Sequence, residues 1–90
     1  MKFEYDPNKS AINKQKHGIS LEDARLLWLV PHVEIQAKTV DELRYMIIGK
    51  IGDKLYSCIY TIRDIDVVRL ISARRSRKSE EVIYYEYIET

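Results

Sequence analysis

The sequence predicts a small α+β protein whose elements follow the order βααββββα. Three observations support this prediction. Helix start and stop residues bracket two stretches within the first 31 residues, alternating apolar residues mark four strands between residues 33 and 72, and a helical pattern returns near residue 76. A chain of 90 residues has room for one hydrophobic core. We therefore expect residues 1–90 to form a single domain built on a small antiparallel sheet.

The first two elements are a short strand and a helix. Residues 2–5 alternate as a strand does. Asp6 and Pro7 then provide an N-cap and a first helical residue, where the missing N–H of proline costs nothing. The helix is expected to run to His17, because Gly18 suits the left-handed position that closes a helix.

A second helix is predicted between Ser20 and Pro31. Ser20 is its N-cap, and Asp23 follows three residues later in a weakened capping box. Four residues form its apolar face: Leu21, Ala24, Leu27 and Trp28. Trp28 is therefore expected to belong to the core.

The middle of the chain changes to the alternating pattern of strands. Four stretches predict strands: residues 33–37, 44–51, 55–62 and 67–72. Turn residues at 52–54 and 63–66 separate the last three, which we expect to form an antiparallel meander.

The last helix, predicted over about residues 76–88, begins with an unusual charge. Four cations crowd its start in the stretch ISARRSRKSE (71–80): Arg74, Arg75, Arg77 and Lys78. Free backbone N–H groups at a helix start favour acids, and each cation there costs a few tenths of a kcal/mol, up to about 1. A bound phosphate or acidic partner would supply the missing anion. The simpler alternative is a solvated face that pairs with Glu80 and Glu81.

The net charge of +1 conceals two basic regions. Five cations and no acid lie between Arg69 and Lys78, and a second cluster lies within the first seventeen residues. The single cysteine excludes an internal disulfide, and no Cys or His spacing matches a zinc site. We therefore expect no metal or cofactor. With no signal peptide or long apolar run, the expected location is the cytoplasm, away from membranes.

Arginine is the residue best suited to bidentate phosphate contacts, so the basic cluster is the first candidate site. Arg63 precedes the last strand, and Arg74 follows it in the predicted layout. Their separation would be roughly 30 Å at full extension, so whether they share one groove stays open.

Two further groups could carry chemistry, each with a simpler alternative. Lys16 and His17 could stabilise negative charge or carry a proton, or they could only cap the first helix. Glu80 and Tyr84 are four apart and share a helix face. They could project beside the arginines as a base and a phenol, or Glu80 could neutralise a neighbouring cation while Tyr84 packs on the sheet.

Taken in order, these residues resemble the BrnT family of bacterial toxins. The matching motifs are FEYDPNK (3–9), Asn13, KHGISLEDA (16–24), Arg44-Tyr45, Ile48-Gly49, Thr61-x-Arg63 and RLISARR (69–75) with Glu80 and Tyr84. The family pattern departs here at Leu21 and Tyr5, which replace other apolar residues. The resemblance implies a RelE-like fold and a ribonuclease toxin of a type II toxin–antitoxin pair.

The resemblance further implies partners. These are an RNA substrate cleaved without a metal, and a cognate ribbon-helix-helix, BrnA-like antitoxin. The complex would repress its own operon, contacting operator DNA only through the antitoxin, and could contain a toxin dimer.

Combined with the charge pattern, the resemblance gives a hypothesis for the site. Arg63, Arg74 and Arg75 would stabilise the phosphate, and Glu80 would act as base. Lys16 or His17 would assist, and Tyr84 would position Glu80 or stack on a nucleobase. The accessory RNA contacts would be Arg69, Arg77 and Lys78. The alternative is a non-catalytic module that uses the same basic groove to bind nucleic acid or a partner.

Overall fold

The computed structural model describes residues 1–37 and 41–88. Its elements are β1 (Lys2–Glu4), α1 (Pro7–His17), α2 (Leu21–Ala24), β2 (His32–Ala37), β3 (Arg44–Ile51), β4 (Lys54–Asp64), β5 (Val67–Arg75) and α3 (Lys78–Ile88). A 3₁₀ turn at Arg25–Leu29 continues α2. The order βααββββα is as predicted. None of the described helices is long and apolar enough to cross a membrane.

The five strands form one mixed sheet in the order β1-β5-β4-β3-β2. The predicted meander of β3, β4 and β5 is confirmed, because each consecutive pair is antiparallel. β2 extends it on one side. β1 adds to the other side in parallel with β5, with Phe3 opposite Val68. This parallel pair was not foreseen, since α1, α2 and the whole meander separate its two strands along the chain.

The local signals at the helix ends act as predicted. Asp6 accepts a hydrogen bond from the N–H of Asn8 at 2.8 Å, and Gly18 closes α1 with φ at 76°. Ser20 Oγ accepts from the N–H of Asp23 at 2.9 Å. The second helix is shorter than predicted, because its last turns tighten into the 3₁₀ geometry common at helix ends.

The sheet has two apolar faces because side chains alternate along each strand. α2 and the 3₁₀ turn cover one face, where Leu21, Leu27, Ile47 and Cys58 are fully buried. Trp28 packs there between the rings of Phe3 and Tyr60, at 5.1 Å from each ring centroid. On the opposite face, α3 packs over β2 and β3. Its cluster joins Ile48, Leu55 and Tyr84.

The end of β5 differs from the prediction and changes the environment of the cations. β5 continues to Arg75 instead of ending at residue 72, because Arg74 and Arg75 pair with Ser57 and Tyr56 of β4. α3 begins at Lys78, and Glu80 and Glu81 lie in its first turn. The expectation that four cations crowd a helix start is therefore wrong for Arg74 and Arg75, which belong to β5, whereas Arg77 and Lys78 do lie at the start of α3.

Candidate active site

The centre of the candidate site is an ion pair between the end of β5 and the start of α3. The Nη1 and Nη2 atoms of Arg74 donate to Oε1 and Oε2 of Glu80, each at 2.8 Å. Glu80 is only 7% exposed. The bidentate geometry fixes the plane of the guanidinium and is the stronger form of such pairs.

Two further donors complete the bonding of Glu80. Ser57 Oγ donates to Oε1 at 2.8 Å, and the backbone N–H of Arg77 donates to the same atom at 2.9 Å. The hydroxyl proton of Ser57 is thereby used, so Ser76 Oγ, 2.7 Å away, donates to Ser57. The bond to Arg77 is half of a capping box, because the third residue of α3 reaches back to the residue before the helix.

The charge state of Glu80 follows from this environment. Burial raises its pKa, but the hydrogen bonds from Arg74, Arg77 and Ser57 and the positive charge of Arg74 outweigh it and lower the pKa to about 2. The hydrogen bonds to Glu80 in turn raise the pKa of Arg74. A general base works best when its pKa lies near the working pH. The geometry of Glu80 therefore suits holding Arg74 better than accepting a proton.

A second cluster lies farther along the same strands. The Nη1 atom of Arg69 donates to Oε1 of Glu4 at 2.8 Å, and the Nε atom of Arg63 lies 3.5 Å from the same oxygen. The side chains of Glu4 and Arg63 are 41% and 56% exposed. Glu4 and Arg69 are paired residues of β1 and β5, whereas Arg63 is an extra residue in β4 where the pairing with β5 shifts.

The two clusters lie on the same side of the sheet. Arg74 pairs with Ser57 and Arg69 pairs with Thr61, and these β4 residues are four apart. They therefore face the same way, about 13 Å apart along the strand. Arg63 follows two residues later, about 20 Å from Ser57. Arg63 and Arg74 are therefore on the same side of the sheet but well separated along it.

We call this surface the arginine face: the α3 side of β1, β4 and β5, with Glu4, Arg63, Arg69 and Arg74. The body of α3 packs over β2 and β3. Its first turn reaches Ser57 of β4 and Arg74 of β5 through Glu80.

The other predicted residues near α3 are arranged differently. Arg75 points to the opposite side, with its guanidinium 5.8 Å from the ring centroid of Tyr56. Arg77 and Lys78 are exposed beside the Arg74–Glu80 pair. Tyr84 is 4% exposed and packs with Ile48 and Leu55. Its ring is therefore not available to stack on a nucleobase, and the packing alternative fits the structure.

Lys16 and His17 are exposed at the end of α1. One turn earlier, Asn13 binds the free edge of β5, where its Nδ2 atom donates to the carbonyl of Ala73 at 2.7 Å and its Oδ1 atom accepts from the N–H of Ala73 at 3.3 Å. This places α1 beside the end of β5. Neither Lys16 nor His17 takes part in the hydrogen bonds of Glu80.

The sequence did not single out Glu4 or Ser57 as site residues. A serine in an alternating strand carries no signal, because its role depends on a helix 23 residues away. Glu4 did carry one, since it lies within the FEYDPNK motif, but its neighbour Arg69 is 65 residues away. In the described part of the chain, no group of three or more His, Cys, Asp or Glu side chains is placed to hold a metal ion.

Comparisons with a protein-family model and with solved structures find similar proteins. A family model described as "Ribonuclease toxin, BrnT, of type II toxin-antitoxin system" matches residues 5–80. No curated protein matches the chain. Among solved structures, the chain is similar to the 1.1 Å crystal structure of the Brucella abortus ribonuclease toxin, BrnT. The two are 23% identical with a TM-score of 0.65, and the match covers 87% of this chain and 99% of that one. At that identity the structural likeness establishes the fold alone.

Proposed function

Because this chain belongs to the BrnT family of ribonuclease toxins of type II toxin–antitoxin systems, we propose that it cleaves RNA on the arginine face without a metal ion. The observation that carries this proposal is the position of three arginines, Arg63, Arg69 and Arg74, on one side of the sheet. Arginines in a row suit the phosphates of an extended RNA strand.

Arg74 is prepared for a phosphate by the contacts that hold it. Glu80 takes one N–H from each terminal nitrogen, and the carbonyl of Arg75 takes a second from Nη1 at 3.3 Å. The Nε–H and one Nη2–H are not used by these bonds. Since the guanidinium is already ordered, binding a phosphate costs less side-chain entropy than it would at a free arginine.

Cleavage without a metal proceeds by attack of the ribose 2′-hydroxyl on the adjacent phosphate. The reaction needs a base, an acid and cations that stabilise the charged transition state. We assign phosphate binding to Arg63 and Arg74, which lie about 20 Å apart along the strand and therefore hold different phosphates of the RNA. Further RNA contacts are assigned to Arg69, Arg77 and Lys78. Glu80 positions Arg74. Arg75 lies on the opposite side of the sheet, and Lys16 and His17 are exposed at the end of α1. We assign these three to contacts with RNA that extends beyond the arginine face. Tyr84 anchors α3, and thereby Glu80.

The antitoxin is the second part of the proposal. Type II membership implies an antitoxin partner, which we propose to be a BrnA-like ribbon-helix-helix protein. An acidic segment laid on the arginine face would neutralise the toxin by excluding RNA. The complex, with a toxin dimer in it, would repress its own operon in the cytoplasm and touch operator DNA through the antitoxin.

The test is to incubate the purified protein with RNA in excess EDTA and to analyse the products. We expect defined fragments with 2′,3′-cyclic phosphate and 5′-hydroxyl ends, because a 2′-hydroxyl attack produces them. A double variant, Arg63→Gln with Arg69→Gln, should cleave far more slowly. Salt-sensitive binding without any products would instead support a non-catalytic module.

A further inference from the structure

We propose that Glu4 is the general base of this cleavage, and that the reaction takes place at the Glu4–Arg63–Arg69 cluster. Arg63 and Arg69 then contact the phosphate that is cleaved, and Arg74 binds a neighbouring phosphate of the RNA backbone. This inference rests on the ribonuclease function proposed above and adds a catalytic residue to it.

The first argument is the position of Glu4. Because side chains alternate along β1, Phe3 packs under Trp28 on one face while Glu4 lies on the arginine face. Its pairing partner is Arg69. The short edge strand β1 therefore places the carboxylate of Glu4 on the arginine face.

The second argument is the contrast between the two carboxylates of this surface. The side chain of Glu80 is 9% exposed, and both of its oxygens are bound. The side chain of Glu4 is 41% exposed, and its contacts to Arg69 and Arg63 both use Oε1. A base must reach the proton that it removes, and Glu4 alone of these two can approach a ribose in solvent.

The third argument is chemical. Two guanidiniums flank Glu4, so a phosphate that they bind places the neighbouring 2′-hydroxyl beside the carboxylate. Glu4 takes the proton of that 2′-hydroxyl while the 2′-oxygen forms a bond to phosphorus. The bond from phosphorus to the 5′-oxygen then breaks, and the departing oxygen takes a proton from water. Glu4 returns its own proton to solvent, so the cycle closes without an oxidant, a reductant or a metal.

The experiment compares wild type with Glu4→Gln, which keeps an oxygen acceptor for Arg69 but cannot take a proton. Single-turnover cleavage of an RNA oligonucleotide is measured in EDTA. Binding is measured with the same sequence carrying 2′-O-methyl groups, which cannot be cleaved. We expect the rate constant to fall about 10²- to 10⁴-fold, while the Kd stays equal or falls because one negative charge is lost.

Glu4→Asp should keep part of the activity, since its carboxylate is retained on a shorter side chain. A Glu4→Gln rate within about threefold of wild type would overturn the assignment, as would a rate loss matched by an equal loss of affinity. Either result with an active wild type leaves the ribonuclease proposal standing. If wild type produces no fragments at all, both proposals fail together.

Discussion

At the scale of single residues, the Arg74–Glu80 pair joins stability to function. Two charges are held in a site that is largely closed to water, with hydrogen bonds to every oxygen of the carboxylate. Removing one partner of such a pair leaves the other charge buried without a counter-charge, which costs about 3–5 kcal/mol of stability in buried cases. The same contacts orient the guanidinium that we assign to a phosphate. Variants at either residue therefore need separate measurements of folding and activity.

The pKa of Glu80 predicts how stability depends on pH. Its pKa in the folded protein is lowered from 4.5 to about 2. The carboxylate therefore stabilises the fold above the unfolded value near 4.5, and this contribution is lost as the pH falls toward 2. We expect the free energy of unfolding of wild type to exceed that of Glu80→Gln at pH 7, and the difference to shrink by up to about 3 kcal/mol by pH 2.

Denaturant unfolding at pH 7, 4 and 2.5 measures this difference. Glu81→Gln, one residue along α3, is the matched control and should change less between these pH values. A difference between wild type and Glu80→Gln that is constant with pH would contradict the role of the ionised carboxylate.

A test of the function of Arg74 requires a variant that does not leave the Glu80 carboxylate buried without a counter-charge. Arg74→Ala alone leaves a buried carboxylate with only Ser57 and the N–H of Arg77. We expect the double variant Arg74→Ala with Glu80→Gln to fold, because the amide is neutral, and to lose growth arrest in cells without antitoxin. Growth after induction measures toxicity, and circular dichroism of the purified protein confirms folding. A folded double variant with unchanged toxicity would remove Arg74 from the site.

At the scale of elements, Asn13 attaches α1 to the rest of the protein. Its amide donates to the carbonyls of Ile19 and Ala73 and accepts from the N–H of Ala73. We expect Asn13→Ala to lower the free energy of unfolding by about 2–3 kcal/mol, because buried backbone groups lose their partners. Thermal or denaturant unfolding measures this loss. Asn8→Ala, an exposed asparagine in the same helix, is the control and should change stability little; equal effects would show that the edge contact is unimportant.

The elements also show which parts of the fold could be predicted from the sequence. The ends of α1 and the start of α2 were predictable, because Asp6, Gly18 and Ser20 act on neighbours within four residues. The end of β5 was not, because Arg74 and Arg75 extend as a strand only through pairing with β4. The alternating pattern in the sequence ended at residue 72.

The candidate site likewise has parts that could be predicted from the sequence and parts that could not. The arginines could be chosen from the sequence by residue type and clustering. Their arrangement on one face depends on sheet register, and so does the pairing of Glu4 with Arg69. The hydrogen bond from Ser57 to Glu80 could not be predicted either, because it joins a strand to a helix. Contacts across 23 to 65 residues leave no local pattern to read.

At the scale of the whole molecule, the arginine face is not a uniformly positive groove. Glu80 offsets Arg74, and Glu4 offsets one of its two arginines. This agrees with the small net charge of +1. RNA binding on this face therefore depends on directed N–H groups at three points more than on a strong overall field.

This charge balance predicts a moderate salt dependence of RNA binding. The three arginines of this face, each taken as one phosphate contact with single-stranded RNA, contribute about −2 to the slope of log K against log salt. The binding of a 2′-O-methyl RNA is measured by fluorescence anisotropy at salt concentrations between about 50 and 200 mM. The double variant Arg63→Gln with Arg69→Gln should reduce the magnitude of the slope by about 1.4. Lys9→Gln on the exposed side of α1 should leave it unchanged, because that side chain lies outside the arginine face. If the slope instead falls with Arg75→Gln and Lys16→Gln and not with the double variant, the RNA follows the end of β5 beside α1, and the arginine face is not its path.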